Sequence, residues 1–176
     1  CVAQWTVNQY TVSFDSNGGS AVGSITQNYN TQVAQPSAPT KTGYTFAGWY
    51  SDTGLTNPVS WPYTLGASNV TFYAKWTVNS YTIYFDEQGG STVADITQNY
   101  GTSVTAPANP TKTGYTFAGW SPAVPSTMPA NNTTCVAQWT INSYTIYFDE
   151  QGGSTVADIT QNYGTSVTAP ANPTKT

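Results

Sequence analysis

The chain has 176 residues, of which only 7% are charged; it carries no histidine and no arginine against four lysines and eight carboxylates, a formal charge of −4. Without histidine the usual general base and the commonest transition-metal ligand are missing, and four scattered lysines cannot neutralise enough phosphates to hold nucleic acid. No run approaches the ~20 apolar residues of a membrane-spanning helix.

Threonine is the commonest residue, at 31 positions, so hydroxyl and amide groups must solvate the surface. Such a surface gives salt little to screen, and four lysines offer few sites to trypsin-like proteases. Both traits suit an extracellular setting, at a cell surface or secreted. The stretch carries no signal peptide, sorting motif or anchor, so any address lies outside it.

Self-comparison organises the chain. Residues 1–5, CVAQW, read as the closing strand of a preceding repeat. Repeat 1 spans 10–76, from YTVSFDSNGG through GYTFAGW (43–49) to FYAKW. Repeat 2 spans 81–139, from YTIYFDEQGG through a second GYTFAGW (114–120) to CVAQW. Residues 144–176 are the first half of repeat 3 and copy 81–113 without a change, at an offset of 63. After GYTFAGW, repeat 1 has 27 residues to its closing tryptophan and repeat 2 has 19.

Each repeat reads as strands and turns. Tyr81, Ile83 and Phe85 alternate and share one face. The Gly-Gly segments that follow (16–19 and 87–90) carry a hairpin-type turn signal, with glycine free to take positive φ. A second strand is expected around Ile96–Tyr100, breaking at Gly101. The stretch 106–111 is neither helix nor central strand, because two prolines remove donors and fix φ. Tyr115–Trp120 and Thr134–Trp139 are the last strands, and no window has helical periodicity. The fold class is therefore all-β. The inward set has even numbers at 72, 74 and 76 and odd numbers at 81, 83 and 85, so TVNS (77–80) and TINS (140–143) read as domain junctions. Lacking glycine and proline, they predict a stiff, elongated row of domains.

These residues carry a resemblance. The series F-D-x-x-G-G, Y-G-T-x-V, P-T-K-T-G-Y-T-F-A-G-W and closing Y-A-K-W or V-A-Q-W is similar to the internalin B-repeat (Listeria–Bacteroides repeat) family over essentially the whole chain. The resemblance implies small β-grasp-like domains in tandem, with the usual helix reduced or absent, between the functional heads and wall anchors of bacterial surface proteins. It does not imply catalysis. Cys135 departs from the aromatic or aliphatic residue usual at its position.

Among candidate sites, Trp49, Trp76, Trp120 and Trp139 recur at equivalent positions and are expected in the cores, because a ~60-residue domain needs large buried side chains. Trp61 and Tyr63 lie in the segment peculiar to repeat 1, and Tyr84 and Tyr147 alternate away from the inward set; these four are the candidate ligand contacts. Cys1 and Cys135 occupy the same place in successive closing strands, which separates them as disulfide partners and makes Cys135 a buried free thiol. Asp86-Glu87 and Asp149-Glu150 could offer oxygens to calcium, but lack the alternation of a calcium loop; they could also pair for glycoside hydrolysis, yet repeat 1 has Ser16 for Glu87. Lys41 and Lys112 read as solvated turn residues rather than cross-link donors. Neither catalytic nor metal site is assigned, and no cofactor.

The expected role is a non-catalytic stalk, spacer or fibre segment of a bacterial surface protein, since a specific site needs one copy whereas reach scales with copy number. The alternative is an adhesin module binding glycan or protein weakly and gaining by avidity. Partners are then neighbouring repeats, a host or matrix glycan or protein, or other copies in a fibre. The broken terminal repeats are expected to belong to a longer array, rather than to chains that complete one another by strand donation.

Overall fold

The computed structural model describes residues 1–175 and, among them, contains strands and turns but no helix. In repeat 1 the alternation of Tyr10, Val12 and Phe14 forms β1 (Gln9–Asp15), with Val12 buried. β2 (Ile25–Asn28) lies antiparallel to it, Val12 facing Ile25 and Gln9 facing Asn28. A two-residue β3 (Gln32–Val33) follows, then β4 (Tyr44–Tyr50), a two-residue β5 (Tyr63–Thr64) and the closing β6 (Val70–Val78). The main sheet has the order β2-β1-β6-β4, with a parallel β1·β6 pair at its centre and β4 antiparallel on β6. β3 pairs antiparallel with β5 in a separate small ladder. Val12, Val33, Trp49, Leu65, Phe72 and Ala74 form the core of this repeat, drawn from both sheets.

Repeat 2 reuses the plan. Its strands β7 (Ser80–Asp86), β8 (Ile96–Asn99), β9 (Tyr115–Ser121) and β10 (Thr133–Ile141) make a sheet of order β8-β7-β10-β9, again parallel at β7·β10. Ile83, Phe85, Cys135 and Ala137 are buried. In repeat 3, β11 (Ser143–Ile146) and β12 (Ile159–Asn162) pair antiparallel. The protein is all-β, with tandem domains.

The Gly-Gly turn differs from the plain hairpin its residues suggest. Asn17 and Gly18 both have positive φ (47° and 81°) and Gly19 N–H donates to Ser16 O at 3.0 Å. That is a tight turn of the twist-compatible type. The chain then does not enter the ladder at once, because Ser20 is held instead by Thr40, through Ser20 N–H to Thr40 O at 2.8 Å. Trp76 closes this corner. Its indole N–H donates to Ser16 O at 2.8 Å, and Gly19 is obligatory because a Cβ there would lie 2.4 Å from the ring. Lys41 donates to Asn17 O at 2.8 Å with its ammonium 5.8 Å from the Trp76 ring centre. Lys112 repeats this against Gln88 O and Trp139. The lysines of the P-T-K-T-G motif are thus fastened over the turn rather than free in solvent.

A bulge decides the facing of GYTFAGW. The register of β4 on β6 slips between Phe46 and Gly48, and Gly48 takes φ 121°. Simple alternation would place Phe46 and Trp49 on opposite faces; the extra residue puts both rings on one side, 5.3 Å apart.

The chain divides into two compact units. The first comprises Cys1–Tyr81 with Gln98–Thr102 and Thr127–Asn131; the second comprises Thr82–Thr97, Ser103–Ser126 and the chain from Asn132. Each therefore holds one place where consecutive repeats meet. Within the first, Thr77 and Val78 still pair with Thr45 and Tyr44 of β4, so the break between β6 and β7 narrows to Asn79. Asn79 N–H donates to Gly43 O at 2.9 Å, its side-chain oxygen accepts from Thr45 Oγ1 at 2.7 Å, and its carbonyl accepts from Tyr100 N–H at 2.8 Å. The Tyr100 ring covers Gly43 and meets Tyr44 edge-on at 5.9 Å. Within the second unit, Asn142, Gly114, Thr116, Tyr115 and Tyr163 make the same set of contacts.

Candidate functional site: the cleft of repeat 1

The eight extra residues of repeat 1 fall between Trp49 and Leu65. Leu65 matches Met128, because the backbones of Thr31 and Asn30 bind Leu65 as those of Thr102 and Gly101 bind Met128. Asp52 folds the start of this insertion. Its carboxylate accepts from Asn57 N–H at 2.8 Å, Thr56 N–H at 3.1 Å and Thr56 Oγ1 at 2.9 Å. These bonds, the one from Asn57 backbone foremost, hold its pKa below the usual carboxylate range against the opposing effect of partial desolvation. Lys75 donates to Leu55 O at 3.3 Å and lies 4.7 Å over the Tyr50 ring.

The insertion then turns inward. Val59 N–H donates to Trp49 O at 2.8 Å, and Trp61 leaves the surface to stack on Phe14 at 6.5 Å and meet Phe72 edge-on at 5.8 Å. Tyr63, in β5, meets Phe72 at 4.9 Å. Between this segment and the start of β6 opens a cleft of about 720 Å³. Pro58, Pro62, Tyr63 and Tyr73 supply apolar and aromatic wall; Ser51, Ser60, Thr64 and Thr71 supply hydroxyls. The lining holds no carboxylate, amine or imidazole. It can stack against a ligand and exchange hydroxyl hydrogen bonds with it.

The structure brings two of the four candidate contacts to this place. Tyr63 lines the cleft. Trp61 is half-buried against Phe14 and Phe72, so it supports the cleft wall from behind. Tyr84 and Tyr147 belong to the second unit and are 42% and 77% exposed. The acidic turns are occupied locally: Glu87 accepts from Val93 N–H at 2.6 Å and Asp86 from Gln88 N–H at 3.1 Å. Cys135 is buried as a free thiol, and burial pushes its pKa up. The residues that sequence reasoning passed over are Asn79, Tyr100 and Gly43; the recurrence of Asn in both TVNS and TINS, and of Tyr in each ITQNY, was their signal.

These are tandem all-β repeat domains, and the chain belongs to the Listeria-Bacteroides repeat domain family, which matches residues 10–75, 81–138 and 144–176. It is 37% identical, over 98% of its length, to a protein of Evansella cellulosilytica described only as a membrane protein, and 39% identical, over 80% of its length, to Internalin H of Listeria monocytogenes. The chain spans 27% of the length of each. Among solved structures, domains 3–4 of the Streptococcal High Identity Repeats in Tandem from a cell surface protein align over 76% of this chain and 98% of theirs, at 16% identity and a TM-score of 0.27. No helix among the described residues is long and apolar enough to cross a membrane.

Proposed function

We propose that this segment is a non-catalytic stalk or spacer of a bacterial surface protein, built from repeats 10–76, 81–139 and 144–176, with residues 1–5 closing a further repeat. The observation that carries this reading is the twofold recurrence of the junction contacts, Asn79 with Gly43 and Tyr100, and Asn142 with Gly114 and Tyr163. A joint made of one residue, tied by backbone bonds on both sides, resists bending in a way that a flexible linker does not. The sheet order, with its parallel central pair, supports a β-grasp-like description of each repeat. The surface location rests on the low-charge composition and on membership of the family. Small-angle scattering tests the reading: a rod-like profile is expected, and a compact globule or a profile needing freely jointed beads would refute it.

The cleft of repeat 1 favours a second reading, an adhesin module that takes an uncharged glycan or peptide at Tyr63 and Tyr73. Retention of the chain on immobilised glycans or matrix proteins, lost with Tyr63→Ala, would establish that reading; no retention would leave the stalk alone.

A further inference from the structure

Each repeat carries the sequence Ile-Thr-Gln-Asn-Tyr, and two of the three tyrosines, Tyr100 and Tyr163, lie over the glycine of a Gly-Tyr-Thr turn. The third, Tyr29, is preset in the same way. Its N–H donates to Asn8 O at 2.8 Å, as Tyr100 N–H does to Asn79 O and Tyr163 N–H to Asn142 O, each also at 2.8 Å. Its side chain is 50% exposed. The approach to it repeats letter for letter: Trp5-Thr-Val-Asn8 copies Trp76-Thr-Val-Asn79. Yet Trp5 is 91% exposed, whereas Trp76 is packed on Gly19 and bonded to Ser16 O.

We propose that Tyr29 and Asn8 form a docking surface for the Gly-Tyr-Thr turn of a further copy of this repeat, the copy whose closing strand is Cys1–Trp5. The contacts to be made are those seen twice already. The ring of Tyr29 covers a glycine, because any Cβ there would collide with it, as at Gly43 and Gly114. Asn8 N–H donates to that glycine's carbonyl, and Asn8 Oδ1 accepts from the threonine hydroxyl, as Asn79 and Asn142 do at 2.7 and 2.6 Å. The tyrosine after the glycine meets Tyr29 edge-on. The turn must come from another copy, since Gly43 and Gly114 are already covered by Tyr100 and Tyr163. This surface serves a stalk and an adhesin array alike, so it stands apart from the choice between them.

A direct test follows from the sequence. Residues 1–6 duplicate residues 135–140, so fusing a copy of residues 81–134 ahead of Cys1 of the full chain rebuilds an unbroken repeat running into Asn8. Tyrosine nitration by tetranitromethane, followed peptide by peptide, reads the exposure of each ring. In the extended chain Tyr29 is expected to slow to the rate of Tyr100, while in the original chain it reacts faster. Tyr29→Ala is expected to lower the unfolding midpoint of the added copy but to leave that of repeat 1 in the original chain unchanged. Equal nitration of Tyr29 in the two chains would overturn the proposal, as would an equal effect of Tyr29→Ala in both. Failure of the added copy to fold while repeats 1 and 2 stay native would count against it equally.

Discussion

Tyr100 lies so close to Gly43 that a Cβ at position 43 would sit 2.0 Å from its Cδ1 atom, and Gly43 itself has φ +77°. Two independent constraints therefore hold this glycine: the backbone needs the left-handed region, and the neighbouring ring needs the space.

Gly43→Ala is expected to combine a left-handed penalty of about 1–2 kcal/mol with an overpacking cost of about 1–3 kcal/mol. A double-mutant cycle separates them. With Tyr100→Ala in the background, the cost of Gly43→Ala should fall to the backbone part alone. An unchanged cost in that background would mean that the ring does not press on the glycine.

Trp49 is 1% exposed, with Phe14 at 4.8 Å and Phe46 at 5.3 Å; Trp120 holds the same relation to Phe85 at 4.9 Å and Phe117 at 5.3 Å. Truncating either to alanine is expected to cost ~3–5 kcal/mol, enough to unfold its repeat, since a ~60-residue domain has little stability in reserve. Trp61→Ala should cost less, though its contacts with Phe14 and Phe72 make it more than a surface change. Denaturant midpoints decide. Equal midpoints for Trp120→Ala and Trp61→Ala would undo the assignment of the cores.

The alternating strands were legible because β1 and β7 bury only one face: Val12, Ile83 and Phe85 stand at alternate positions and all three are buried. The change of parity between Trp76 and Tyr81 pointed to a break in the strand there, and β6 and β7 are interrupted at Asn79. Three things escaped a reading by periodicity. The bulge at Gly48 makes Phe46 and Trp49 neighbours, and period-two counting has no place for an added residue. β3 and β5 have two residues each, too few to have a period. The position of Trp61 depends on where the 12-residue loop 51–62 folds back, which Asp52 and the Val59 bond settle rather than any pattern of side chains. The candidate site was half legible for the same reason: the insertion announced itself as unpaired in repeat 2, but not which of its rings would face outward.

The Asp52 loop gives repeat 1 a pH-dependent element with no counterpart in the segment that follows Trp120 in repeat 2. The folded pKa of Asp52 is depressed by the hydrogen bonds from Asn57 and Thr56. Its contribution is therefore present above the unfolded pKa and is lost as pH falls through the lower folded value, in the range below about pH 4. Amide exchange of Thr56 and Asn57 should accelerate there relative to the same amides in neutral solution after correction for intrinsic rates. Asp52→Asn should remove that change. Persistence of the acceleration in Asp52→Asn would assign it to another group.

The two thiols should differ in reactivity for reasons visible in their surroundings. Cys1 is exposed, whereas Cys135 is 0% exposed in β10, opposite Phe85 in the parallel ladder. Burial disfavours the thiolate, raising the Cys135 pKa, and the thiolate is the reactive species. With a disulfide reagent such as DTNB, the native chain is expected to show one fast thiol and one that reacts only as repeat 2 opens. Labelling of Cys135 then reports the opening equilibrium of its own repeat. Trp120→Ala, which loosens that repeat, should speed the slow phase and leave the fast one alone; Trp49→Ala, in the other core, should speed the slow phase far less. Two thiols reacting together in the native chain would show that β10 is not packed as described, and would remove Cys135 from the core of repeat 2.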